Sequence, residues 1–156
     1  SPLKRRIQSA NIIYKNPNLI HDDRLLEFNY GDAEGLKYQE LSNQYPDIIS
    51  KWKNGEDPHF PRGENTSQVS SRLISFLDEL SKTLNKSHFD KVSIFTHNGN
   101  LRCLVGKFFQ LEKKDYFKIS IPHGVPIEFL YFNGQYYPNI SKNMLPKILK
   151  NIGSFS

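Results

Sequence analysis

One cysteine, Cys103, is the whole thiol complement of this 156-residue chain. A lone thiol excludes an internal disulfide framework and a multi-cysteine zinc site, and it suits a reducing cytoplasm. No apolar run approaches the roughly 18–20 residues needed to cross a bilayer, so no membrane-spanning helix is expected. A signal-peptide pattern, internal repeats, low-complexity tracts and Gly/Ser linkers are all missing, and the chain reads as one domain over residues 1–156. There is no initiator methionine either. The chain opens on Ser1-Pro2-Leu3 with a helix almost at once, which is expected of a fragment or of a processed N-terminus.

What is present suffices for a core. The chain is 37% hydrophobic and 13% aromatic, and its 24% of charged residues is ordinary for a globular protein. The net charge of +5 is compatible with nucleic acid, an anionic surface or a phosphorylated substrate. The lysines are spread along the chain, however, and the densest basic cluster is only Lys4-Arg5-Arg6. No nucleic-acid-binding signature accompanies it, so no nucleic-acid partner is expected.

Residues 3–15 have helical spacing, with Leu3, Ile7, Ala10 and Tyr14 on one stripe. Leu25 to Phe28 is a candidate strand running into a turn at Tyr30-Gly31-Asp32. Leu36 to Tyr45 suits a helix, and Pro46 opens another through Trp52. Residues 54–66 form a loop. The spacing Val69, Leu73, Phe76, Leu77, Leu80, Leu84 predicts a long helix with Thr66 or Ser67 as N-cap. Val92 to Thr96 reads as a compact buried strand, and Leu101, Leu104, Val105 and Phe108 return to helical spacing. Ile127 to Phe132, Asn133-Gly134 and Gln135 to Tyr137 read as a hairpin, with a last helix at 142–150. Single strands separated by amphipathic helices call for crossover connections and a largely parallel sheet, its closing hairpin forming an antiparallel edge. The expected class is α/β.

Three stretches carry chemistry. In Val92-Ser-Ile-Phe-Thr-His97-Asn98-Gly99 a buried strand ends at a histidine, and a helix begins there. Strand ends are where ligands collect in open α/β sheets, and a helix N-terminus favours an anion. A histidine at that junction binds a phosphoryl oxygen or donates a proton, or else merely caps the helix. In Ser1-Pro-Leu-Lys-Arg5-Arg6, an arginine in the first helical turn can fork onto phosphate, although arginines on helices are mostly solvated. In Leu25-Leu-Glu27-Phe-Asn-Tyr30-Gly31-Asp-Ala-Glu34-Gly35, Glu27 can serve as general acid if burial raises its pKa. Glu34 is a second candidate, equally suited to capping a helix.

Taken together and in order, these stretches resemble the histidine phosphatase superfamily, the phosphoglycerate-mutase-like enzymes. Its Ser-Pro-Leu-x-Arg-Ala-x-Gln-Thr-Ala block is matched by SPLKRRIQSA, and its Leu-x-Glu…Gly-x-x-Glu-Gly-Leu block by LLEFNYGDAEGL. Its Pro-x-Gly-Glu-Ser loop is matched by PRGEN, and its strand ending in Ser-His-Gly-Gly-x-x-Arg by FTHNGNLR. The resemblance covers roughly residues 1–134. It implies a three-layer α/β/α fold, with Arg5 as phosphate ligand, His97 as the second active-site histidine and Glu27 as proton donor. The amide of Asn98 would help hold phosphate, with Tyr30 and Arg62 as weaker substrate contacts. Arg6 departs from the usual alanine, Asn65 from serine and Asn98 from a common glycine.

A larger departure is that no Arg-His-Gly occurs, the motif whose histidine attacks phosphorus in this family. None of His21, His59, His88, His97 and His123 follows an N-terminal strand. The resemblance therefore implies that the nucleophile and first strand lie upstream of Ser1, and that this chain alone is inactive. It implies a phosphatase hydrolysing a small phosphorylated monoester through phosphohistidine, with no metal or other cofactor, and leaves room for a homodimer. The short segment between Leu36 and Gly63 is similar to the compact α-ribazole-phosphate phosphatases. Tyr30-Gly31 after Glu27 is mutase-like, and a mutase would need a phosphorylated cofactor to recharge its histidine. A pseudoenzyme that binds phospho-ligands without turnover is the remaining alternative.

Overall fold

The computed structural model describes residues 1–15, 17–85 and 91–152. Its elements run α1 (Lys4–Ile13), α2 (Tyr38–Gln44), α3 (Pro46–Lys53), α4 (Thr66–Leu84), α5 (Asn98–Phe108), β1 (Phe129–Phe132), β2 (Gln135–Pro138) and α6 (Leu145–Ile148). Short 3-10 turns at Asp23–Leu25, Gly31–Ala33 and Lys113–Lys118 link them.

Helix α4 starts where its first amides find acceptors. Asn65, not Thr66 or Ser67, is the N-cap. Its side chain accepts from Gln68 N at 2.9 Å, and the Gln68 side chain accepts from Asn65 N at 3.2 Å, closing a capping box. The Asp57 carboxylate takes the next N–H groups, Thr66 at 3.0 Å and Ser67 at 2.9 Å, which is why neither of those residues caps with its own hydroxyl. Such a cap is worth about 1 kcal/mol, whereas each buried aliphatic side chain is worth about 1.5–3 kcal/mol. Burial of Val69, Leu73 and Leu77 therefore holds the helix, and the cap sets its first residue.

That apolar stripe packs on α5 through Cys103 and Leu104, in one cluster with Phe28, Phe60 and Tyr116. The close approach of Tyr116 to α5 needs Gly106, because a Cβ there would lie 2.4 Å from the Tyr116 ring. A second cluster joins Val105 of α5 to Ile119, Ile121, Ile148 and Leu149, and so ties α6 to the molecule. The hairpin closes on Asn133-Gly134, both at positive φ (49° and 80°), as its two-residue turn demands. Phe129 and Tyr136 then lie against Phe108 at ring distances of 5.2 and 6.4 Å.

Helices and this hairpin make up the α/β content, but the expected parallel sheet and three layers are not seen among the described residues. The one sheet there is β1–β2, antiparallel. Val92–Thr96 is not a compact buried strand. Val92 and Ile94 are 43% and 39% exposed, and no described strand runs beside them. Leu25–Phe28 is not a strand either. Its main-chain carbonyls are taken by side chains: Leu26 O accepts from Asn100 Nδ2 at 2.7 Å, Leu25 O from Thr96 Oγ1 at 3.1 Å, and Glu27 O from Arg72 Nη2 at 3.3 Å. Carbonyls engaged in this way have no need of a ladder neighbour.

Candidate functional site

His97, itself extended, is the N-cap of α5, where segment 92–96 leads into the helix, and its imidazole is wholly buried. Arg5 Nη2 lies 3.1 Å and Arg6 Nε 3.3 Å from its Nδ1. A guanidinium only donates, so Nδ1 accepts and the ring proton sits on Nε2, which donates to Ser1 Oγ at 3.0 Å. Burial, then the charges of Arg6 and Arg5, pull the His97 pKa down to about 4. The ring is therefore neutral near pH 7, and its 3.7 Å approach to Glu27 Oε2 is not an ion pair.

Glu27 follows the first 3-10 turn and points at the start of α5. Its Oε1 accepts from Phe28 N at 2.9 Å, and the amide of Gly99 also faces it. Burial nevertheless raises its pKa, with those two amides and the charges of Arg5 and Arg6 only partly opposing. A carboxyl of this kind holds a proton more readily than a solvated one, as a general acid requires. A Cβ on Gly99 would stand 2.8 Å from Glu27 Oε1 and 3.2 Å from the Tyr30 hydroxyl, so the glycine lets α5 approach both groups. Tyr30 stacks on Phe28 with centroids 4.7 Å apart. Burial, reinforced by the Glu27 charge, pushes its phenol up to about 12.

Behind Glu27 stands a polar support. Asn100 is fully buried; its Nδ2 bonds Leu26 O and, at 2.7 Å, Thr96 Oγ1. Arg72 of α4 reaches Arg24 O at 2.5 Å and Glu27 O at 3.3 Å while it holds Glu64. Glu64 Oε2 in turn accepts from Asn29 N at 2.9 Å. The backbone carrying Glu27 is thus pinned from two helices.

The structure therefore brings Arg5, Glu27 and His97 together, with Tyr30 beside Glu27. Asn98 occupies the first turn of α5. Its Nδ2 donates to Ile121 O at 3.4 Å, and its buried Oδ1 has no partner among the described residues. Arg62 is not brought to His97. It sits at φ 56° on an exposed turn with its Nε bonded to Asp32 Oδ1 at 2.7 Å. That turn packs on Gly31, whose absent Cβ leaves room for Pro61 O. Sequence reasoning missed three contributors. Arg6 had been visible only as a departure from a pattern, and nothing local marks Asn100 and Arg72 as supports of Glu27, since the carbonyls they hold there, Leu26 O and Glu27 O, lie 74 and 45 residues away. No cluster of three or more His, Cys, Asp or Glu is placed to hold a metal among the described residues, nor is any helix long and apolar enough to cross a membrane.

Residues 1–137 match the family model of the histidine phosphatase superfamily (branch 1), and the chain belongs to that superfamily. Among its relatives, phosphoserine phosphatase 1 of Hydrogenobacter thermophilus is 36% identical over 87 residues, covering 53% of this chain and 40% of the relative. A 2,3-bisphosphoglycerate-dependent phosphoglycerate mutase of Cytophaga hutchinsonii is 27% identical over 131 residues, covering 81% and 61%. The crystal structure of the α-ribazole phosphatase from Shigella flexneri superposes with a TM-score of 0.68 at 20% identity, covering 89% of this chain and 69% of that one, so the two share a fold. The chain spans about half the length of the curated relatives it matches.

Proposed function

We propose that the whole protein is a phosphatase that hydrolyses a phosphate monoester through a phosphohistidine. The observation that carries this reading is the meeting of Arg5, His97 and Glu27: a guanidinium 3.1 Å from a buried imidazole, with a carboxyl of raised pKa 3.7 Å from the same ring. The nucleophilic histidine belongs to a part of the protein outside these 156 residues, which contain no Arg-His-Gly. Its ring nitrogen bonds to phosphorus as the ester P–O bond breaks, and Glu27 gives its proton to the departing oxygen. Water then attacks phosphorus, the P–N bond breaks, and Glu27 takes the water's proton. Arg5, His97 and the Asn98 amide stabilise the charge on the equatorial oxygens, the main demand of phosphoryl transfer.

The same outside segment completes a three-layer parallel sheet beside residues 92–96. The exposure of Val92 and Ile94 on a stretch that pairs with no described strand supports that placement. By itself the 156-residue chain lacks the nucleophile and is inactive.

Phosphoglycerate mutation is the second reading, supported by similarity to mutases over 81% of the chain and by Tyr30 beside Glu27. Similarity to phosphoserine phosphatase 1 and the short 36–63 segment favour hydrolysis. The test is steady-state hydrolysis of p-nitrophenyl phosphate by the full-length protein and its His97→Ala variant. A loss of at least about 100-fold in kcat is expected, since removing one preorganised charge stabiliser usually costs that much. Phosphate binding without turnover would replace the enzyme by a phospho-ligand-binding domain. Isomerisation of phosphoglycerate that depends on a bisphosphorylated cofactor would replace the phosphatase by a mutase.

A further inference from the structure

We infer that Arg6, which stands where the family's block carries alanine, is a second phosphoryl-binding cation of this site. The inference rests on the phosphatase reading of the site for the identity of the ligand, a dianionic phosphoryl group, but not for the geometry that suggests it.

Arg24, Arg62 and Arg72 each meet a carboxylate, those of Asp22, Asp32 and Glu64. Arg102 meets a main-chain carbonyl instead, Ile119 O at 2.9 Å, and Arg5 and Arg6 meet neither. Among the described residues, the only side-chain partner of either guanidinium is the His97 Nδ1. A neutral ring nitrogen offers one lone pair, whereas each guanidinium offers five N–H groups, so most of the donors and all of the charge are left over. The two nitrogens concerned are 3.1 and 3.3 Å from one atom, so they stand close enough for one phosphoryl group to span them. Two like charges at such a separation repel by something on the order of 1–3 kcal/mol. Glu27 offsets that repulsion only in part, because it is one carboxyl facing two guanidinium groups. The arrangement is one that an oxyanion completes: its oxygens accept the unspent N–H groups and its two negative charges match the two guanidinium groups.

The placement also explains what Arg6 supplies. His97 is neutral near pH 7 because burial and these same two guanidinium groups disfavour its charged form. A site that relied on imidazolium for its second positive charge would lose affinity for phosphate as the pH rose through neutrality. A guanidinium does not depend on pH for its charge in that range, so a second arginine supplies what the neutral ring does not.

The experiment measures binding of inorganic phosphate to the full-length protein by titration calorimetry at pH 7.5, together with kcat and KM for p-nitrophenyl phosphate. Arg6→Ala is expected to weaken phosphate binding at least 10-fold and to raise KM more than it lowers kcat. Arg6→Lys restores the larger part of both. The His97 ring, followed by NMR, titrates at higher pH in Arg6→Ala than in wild type, a readout that a purely structural arginine would not move. Arg6→Gln provides the same comparison should the alanine variant fold poorly. Phosphate affinity within twofold of wild type in both Arg6→Ala and Arg6→Gln overturns the inference. Ester hydrolysis with Arg6-independent phosphate binding removes this inference alone. Arg6-dependent phosphate binding without hydrolysis leaves it standing and removes the proposed phosphatase activity.

Discussion

Arg72 and Glu64 lie fork against fork, Nε to Oε1 at 2.8 Å and Nη2 to Oε2 at 3.1 Å, so α4 grips the loop that precedes it and, through Glu27 O, the backbone under the candidate acid. The pair is only 18% and 23% exposed.

Replacing Arg72 by Met leaves the Glu64 carboxylate and the Arg24 and Glu27 carbonyls short of donors. Breaking a fully buried pair from one side costs about 3–5 kcal/mol. Partial exposure lowers the expected loss here to about 2–4 kcal/mol. Urea unfolding of the full-length protein measures it. A loss below about 1 kcal/mol would mark the contact as an ordinary solvated pair.

Gly99→Ala separates folding from chemistry. The new methyl meets Glu27 Oε1 at 2.8 Å and Phe28 Cβ at 2.9 Å, and the carboxylate is the softer neighbour. Overpacking costs about 1–3 kcal/mol, and up to about 1 kcal/mol of that is returned by alanine's better helix propensity. A modest change in melting temperature is expected, with kcat/KM falling at least about 10-fold as Glu27 is displaced. Unchanged kcat/KM would show that the carboxyl has no part in the reaction.

The pH dependence of stability carries the signature of His97. Its folded pKa, about 4, lies below the ordinary 6.5. The unfolded chain therefore binds the proton first, and the stability His97 contributes is complete above about pH 6.5 and lost as the pH falls toward 4. Across that window the loss is about 3 kcal/mol. Glu27 acts in the opposite sense. Its carboxyl is raised, so its contribution is present in acid and fades as the pH climbs through the raised value. Unfolding midpoints between pH 7 and 5 should fall steeply in wild type and more shallowly in His97→Gln. Parallel curves would mean that the ring is not held neutral.

Much of the helical skeleton is legible in the sequence because it depends on local pattern. The Val69–Leu84 stripe, Pro46 at the head of α3 and the Asn133-Gly134 turn each state their element within a few residues. Both misread strands, Leu25–Phe28 and Val92–Thr96, are apolar runs with strand-like composition. Whether such a run joins a sheet depends on what lies beside it, and here distant side chains, Asn100 and Arg72, take the carbonyls of the first. The same division holds at the site. Arg5, Glu27 and His97 were found because each marks an element junction within a recognisable block. Arg6 was not, because only folding shows that a residue one position from Arg5 reaches the same ring nitrogen.

The burial of Cys103 between α4 and α5 has a practical corollary. Its thiol is 2% exposed, and the surrounding apolar packing pushes its pKa up to about 12, so almost no thiolate exists at neutral pH. Alkylating reagents gain access to the sole sulfhydryl of this sequence when the two helices part, and the rate of its modification becomes a clock for opening of the core.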